Sequence, residues 1–141
     1  MMIKLRQFTI SDIDFILNNW SNTERIKGCY FPNDAKKLTK IINEWAAKSY
    51  QGKYFEQFAI VHSECIVGMI SLYEVNISAV SAGVSIDKKY YRNGYAMQAL
   101  NLIKEVAKSK GYKKLVSTCR TNNNASIKLH EKFKFNNQEN L

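Results

Sequence analysis

Apolar and polar residues alternate over Ile3–Phe8, and a period of two predicts a strand there. Thr9-Ile10-Ser11-Asp12 follows, a Ser/Thr-x-x-Asp start signal that puts an acid near a helix N-terminus. Ile13, Ile16, Leu17 and Trp20 then recur at helical spacing. Leu38, Ile41, Ile42 and Trp45 mark one face of a second helix over Asp34–Ala47. The middle of the chain returns to strand patterning. Phe55–His62 and Cys65–Val75 flank a Ser63-Glu64 turn and read as a hairpin, and Val80–Ile86 reads as a third strand. The period changes again over Asn93–Lys110, where Ala96, Met97, Leu100, Ile103, Val106 and Ala107 predict a helix. Lys108 and Lys110 suit its last turn, and Gly111 ends it. Leu115–Cys119 is a further short strand. Thr121–Asn124 is turn chemistry, and Ala125–Phe133 is a last short helix with Ala125, Leu129 and Phe133 on one side.

The predicted order is β-α-α-β-β-β-α-β-α. Three meandering strands, a crossover helix and another strand imply a mixed sheet with helices on both faces. A length of 141 residues fits one domain, residues 1–141, with a real core. A 45% apolar fraction argues against disorder. The first residues turn polar too soon for a signal peptide, and no stretch approaches the ~18 apolar residues of a membrane span. Cys29, Cys65 and Cys119 are odd in number and lack CxxC or Cys/His spacing, so neither a disulfide framework nor a metal site is expected. A soluble, cytoplasmic protein is the expectation.

Lys and Arg outnumber Asp and Glu by 21 to 12, a net charge of +9. That balance favours an anionic partner, such as a phosphorylated cofactor, an acidic substrate or nucleic acid. The basic residues are scattered in twos and threes, as on ordinary solvated faces. No RNA-recognition signature is present, so nucleic acid is the weaker reading.

The segment with chemistry is Val84-Ser85-Ile86-Asp87-Lys88-Lys89-Tyr90-Tyr91-Arg92-Asn93-Gly94-Tyr95-Ala96. A strand runs out, a charged turn follows, and a helix begins at a glycine. The first amides of a helix lack intrahelical acceptors and sit at the positive end of its dipole, an arrangement that binds phosphate. Gly94 and the small Ala96 allow a close backbone approach, and Arg92 adds charge. A glycine at this junction also suits a plain turn. Neither GxGxxG nor GxxxxGK[ST] occurs.

This segment resembles the acyl-CoA-binding motif of the GNAT superfamily of N-acyltransferases, Gln/Arg-x-x-Gly-x-Gly/Ala. Arg92-Asn93-Gly94-Tyr95-Ala96 fills x-x-Gly-x-Ala, and Tyr91 stands where Gln or Arg is commonest. An aromatic there is similar to the branch of ribosomal-protein N-terminal acetyltransferases. Leu5-Arg6 with Thr9–Asp12 resembles that branch's opening, and Ile66-Val67-Gly68 its third strand. Asn123 to Phe135 resembles its Asn-x-x-Ser-x-x-Leu-Tyr-Glu-Lys-x-Gly-Phe segment, with Lys134 in place of the glycine.

The resemblance implies a single α/β (α+β) domain. Its central sheet would be mixed, mostly antiparallel, and splayed between the fourth and fifth family strands, here Val80–Ile86 and Leu115–Cys119. It implies acetyl-CoA as acyl donor and no metal. Val84, Ser85 and Ile86 would pair with the pantetheine arm, and the Val84 amide would polarise the thioester carbonyl. Tyr91, Arg92, Asn93, Gly94, Tyr95, Ala96 and Met97 would hold the pyrophosphate, and Asn123 would touch the cofactor. The implied reaction is direct attack of a primary amine in a ternary complex. His130 stands where the family's proton-donating Tyr is usual, and Thr118 where some members carry an acid. His130 and Ser126 are candidate acids, and Glu74 is a candidate to receive the amine. Each also has an ordinary reading: a tolerated surface substitution, a helix cap and a surface acid.

Family members usually continue through two closing strands. Here at most one short strand fits after Phe135. The implied C-terminal strands are therefore shortened, and a second copy completing that sheet edge is a candidate partner. A weak or inactive CoA-binding regulatory module is the alternative function. The acceptor is a small molecule or a protein N-terminus, and no membrane partner is implied.

Overall fold

The computed structural model describes residues 2–117 and 138–141. Alternating sequence becomes sheet as expected. β1 (Lys4–Gln7) lies beside β3 (Lys53–His62), followed by β4 (Cys65–Asn76), β5 (Ala79–Ile86), β6 (Lys114–Ser117) and β7 (Gln138–Asn140). A two-residue strand, β2 (Ser49–Tyr50), pairs with the start of β3. All neighbours are antiparallel except β5 and β6, which are parallel. That one parallel pair needs a crossover, and helix α3 (Tyr95–Ser109) supplies it. Helices α1 (Ile13–Asn19) and α2 (Ala35–Ala46) precede the meander.

Two apolar clusters sandwich the sheet. Leu100, Ile103 and Ala107 of α3 pack on Ile60, Ile70, Leu72 and Val80. On the opposite face, Ile13 and Ile16 of α1 and Leu38 and Ile42 of α2 pack on Ala59, Ile66 and Met69. Each large aliphatic side chain so buried contributes about 1.5–3 kcal/mol.

The departures from sequence expectation are local and have causes. Asp12 closes a 3-10 turn (Ile10–Asp12), accepting from the Thr9 amide at 2.8 Å and the Arg6 guanidinium at 2.9 Å. The α-helix therefore starts at Ile13. β3 begins at Lys53 rather than Phe55, because Gln51 and Gly52 take positive φ (52° and 78°) and turn β2 back onto it. The Ser63-Glu64 turn has both φ positive, at 48° and 68°, as a two-residue type I′ hairpin requires. Helix α3 starts at Tyr95 rather than Asn93, since Gly94 is left-handed. Gly111 (φ 87°) ends the helix: its amide donates to Lys108 O and that of Tyr112 to Ala107 O, a Schellman pair. Only one short strand, β7, is described after residue 137, and it lies along β6. The expected Ala125–Phe133 helix and the Thr121–Asn124 turn lie outside the described residues.

Candidate active site

The loop between β5 and α3 hangs from Asp87, whose side chain is fully buried. Its carboxylate accepts from Trp20 Nε1 at 3.0 Å, from Arg25 Nε at 3.0 Å and Nη2 at 2.6 Å, and from the Lys89 amide at 3.0 Å. Burial opposes ionisation here. The Arg25 guanidinium, the Lys89 amide and the Trp20 indole outweigh it and hold the carboxyl below the ordinary carboxylate range. The Asp87 amide donates to Val67 O at 2.8 Å, and the Lys88 amide to Arg25 O at 2.9 Å. The loop base is therefore clamped both to β4 and to the segment after α1.

Beyond this anchor the backbone opens. A 3-10 turn (Lys88–Tyr90) leads to Arg92 at φ 69° and Gly94 at φ 75°. Asn93 Nδ2 braces the turn by donating to Tyr90 O at 2.9 Å. Left-handed Gly94 followed by right-handed helix turns successive N–H groups to one side, an anion-binding concavity. The first helical bond is from the Gln98 amide to Gly94 O, at 3.2 Å. The amides of Tyr95, Ala96 and Met97 have no acceptor among the described residues, and no side chain caps the helix. Among the described residues a Cβ placed on Gly94 would meet nothing within 4 Å, so none of them fills the space before these amides. Arg92, Lys88 and Lys89 are exposed around it. Free amides, open space, positive dipole and basic rim fit a pyrophosphate.

Among the described residues the pairing of β5 with β6 covers Ala79–Ala82 and ends at Ser117. In an antiparallel ladder alternate residues face the same neighbour. Asp87 donates to β4, so Ser85 and Gly83 also turn their backbones to β4, while Val84 and Ile86 turn theirs to the β6 side. Among the described residues Val84 and Ile86 have no partner on that side, while Ser85 offers its side chain on the α1/α2 face. Gly68 makes this placement possible. A Cβ there would stand 2.3 Å from Ser85 O, so only glycine lets β5 lie so close to β4.

Of the other expected site residues, Glu74 is described. Glu74 sits opposite Val80, six residues along β5 from Ile86 and roughly 20 Å away at strand rise. Its Oε1 accepts from Tyr112 Oη at 2.8 Å. Burial first, and then this bond, push the Tyr112 hydroxyl up to about 12. Asn123, Ser126 and His130 lie outside the described residues, as do Thr118 and Cys119. Sequence reasoning missed Asp87, Trp20 and Arg25. Asp87 ends a strand before a basic run, a visible signal, but its partners are 67 and 62 residues away and carry none. It also missed His62, whose Nδ1 lies 3.3 Å from Tyr95 Oη beneath the loop.

Among the described residues no helix is long and apolar enough to cross a membrane, and no His/Cys/Asp/Glu group could hold a metal ion. Comparison with solved structures finds the same fold in several acetyltransferases. One is the Salmonella typhimurium enzyme that modifies the N-terminal serine of a 50S ribosomal subunit protein: 18% identity, 94% of this chain and 79% of that chain covered, TM-score 0.73. A second is the PaiA N-acetyltransferase of Thermoplasma acidophilum in complex with coenzyme A: 15% identity, 94% and 89% covered, TM-score 0.66. A third is a chimera of the Vibrio cholerae spermidine N-acetyltransferase: 15% identity, 94% and 79% covered, TM-score 0.72. No curated protein sequence matches significantly. The sequence model of the acetyltransferase (GNAT) domain matches residues 3–136, nearly the whole chain. With the fold and this match together, the chain belongs to the GNAT family of acetyltransferases.

Proposed function

We propose that this protein transfers an acetyl group from acetyl-CoA to a primary amine by direct attack in a ternary complex. The observation that carries the reading is the cradle of Tyr95–Met97 amides, which have no acceptor among the described residues, next to Val84 and Ile86, which have no strand partner on the β6 side among them. Tyr91 to Met97 hold the pyrophosphate, mostly by backbone. Val84 and Ile86 hold the pantetheine arm, and the Val84 N–H polarises the carbonyl. Asn123 is assigned a cofactor contact. Acetyl-CoA supplies the activated thioester. The protein's own work is to orient the amine, accept its surplus proton and provide a proton where sulfur departs. His130 is the proposed donor, with Ser126 as its alternative. Cytoplasmic location and a second copy at the β7 edge belong to the same reading.

Thermal melts with and without acetyl-CoA test it, followed by thiol release over a panel of amines. A raised melting temperature and amine-dependent release are expected. An unchanged melting temperature at millimolar acetyl-CoA would sink the reading. A raised one without release from any amine would favour a CoA-binding module.

A further inference from the structure

Resting on that reading, we infer that the acceptor is a small amine whose far end carries a carboxylate or phosphate, and that Lys27 and Lys88 hold that end. The segment between α1 and α2, together with the first residue of the turn after β5, encloses a cavity of about 400 Å³. Pockets for small ligands begin at about 300 Å³. Ile26, buried in the core beneath α1 and α2, contributes its floor. Lys27, Tyr30 and Lys88 are exposed around its mouth.

Backbone sets the wall. The Cys29 amide donates to Ile26 O at 3.3 Å and closes a turn in which Gly28 takes φ 82°, as the third residue of a type II turn does. Lys27 is the other corner of that turn. The Lys88 amide donates to Arg25 O at 2.9 Å, which holds the second lysine beside it. The neighbouring polar groups are already engaged. The Thr23 hydroxyl donates to Trp20 O at 2.8 Å, and Arg25 and Asp87 satisfy each other.

Charge selects the occupant. Neither Lys27 nor Lys88 makes an ion pair or a side-chain hydrogen bond among the described residues. On the cavity lining their two ammonium groups stand against one carboxylate, that of Glu24. A lysine ammonium donates and cannot accept. Two of them on one concavity gather anions and repel cations.

The faces of the sheet give the anion to the acceptor rather than to the cofactor. The amides of Tyr95–Met97 lie at the start of α3, which packs on the Ile60, Ile70 and Val80 face. The cavity lies on the opposite face, where Ile26 joins the cluster of α1 and α2. A cofactor seated on the α3 side leaves this face to the second reactant. Lys88 follows Val84 by four positions, at most roughly 13 Å at strand rise. The amine and the anionic group therefore belong several bonds apart.

The test uses 6-aminohexanoate, hexylamine and 1,6-diaminohexane, one chain length with an anionic, a neutral or a cationic far end. Wild type should show a KM for 6-aminohexanoate about fivefold below that for hexylamine, the effect of a charged contact at a half-open site. It should use 1,6-diaminohexane least well, and added salt should shrink these differences. Lys27→Ala should reduce the preference for the anionic amine, and Lys27→Glu should turn it toward 1,6-diaminohexane. Acetyl-CoA binding is followed by calorimetry alongside. Equal KM values for the three amines, or an unaltered preference in Lys27→Ala, overturn this inference while the transfer reading stands. A Lys27→Ala loss confined to acetyl-CoA affinity also overturns it and gives the cavity to a phosphate of the cofactor. Wild type that binds acetyl-CoA yet acetylates none of the three amines overturns the inference, and failure to bind acetyl-CoA removes both.

Discussion

The indole of Trp20, at the end of α1, donates to the buried carboxylate of Asp87 at the end of β5, across 67 residues of sequence and 3.0 Å of space. Arg25 grips the same carboxylate through two nitrogens. This knot joins the α1/α2 layer to the start of the loop between β5 and α3, so loop position depends on a contact outside the loop.

Asp87→Ala leaves Arg25 and Trp20 without their acceptor. Breaking a buried ion pair from one side costs about 3–5 kcal/mol, and urea unfolding of the variant should show a loss of that order. The pH dependence has a definite sign. The folded carboxyl titrates below its unfolded value of about 3.9, so its contribution is fully present above that value. It is lost as pH falls through the lower folded value. The gap between wild type and Asp87→Ala should therefore close in strong acid and stay constant near neutrality.

Gly94→Val separates folding from binding. None of the described residues crowds a Cβ there, so the fold should lose only the cost of a left-handed valine, about 1–2 kcal/mol. The added side chain stands where a phosphate must approach, and calorimetry should show acetyl-CoA affinity falling by far more than stability. Equal affinity in the variant would falsify the cradle.

Gly68→Ala tests strand spacing instead. Its methyl group meets Ser85 O at 2.3 Å, and backbone cannot swing aside like a flexible side chain. A loss of about 1–3 kcal/mol by thermal melting is expected. Acetyl-CoA should also bind more weakly, because the displaced segment carries Val84 and Ile86.

Glu74→Gln checks the carboxylate that Tyr112 engages. Ultraviolet titration of tyrosinate should show one hydroxyl, near 12 in the wild type, titrating at lower pH in the variant. Transfer rates should change less than twofold. A large fall in kcat with an unchanged titration would support Glu74 as the residue that receives the amine.

Much of this molecule was legible in its residues. The period-two runs of β3, β4 and β5, the helical stripe of Leu100, Ile103 and Ala107, and Gly111 as a stop are local signals, because backbone geometry sets them within a few residues. Gly94 was legible for the same reason: a positive φ at a strand–helix junction is a local demand. Helix α3 began two residues later than its pattern suggested, since apolar spacing does not report the dihedral of the capping residue. β2 was too short to show a period.

The sequence by itself determined the long strands and helices from β3 to α3 and, through motif order, the family. Only the tertiary structure decided what holds the loop between β5 and α3 and which residues of β3, β4 and β5 share a row. Asp87 meets Trp20 and Arg25 because α1 folds over the sheet, and Gln57, Ser71 and Gly83 share one row because two hairpins set their register. Such partners lie tens of residues apart, and spacing along a chain carries no record of which strands will stand side by side.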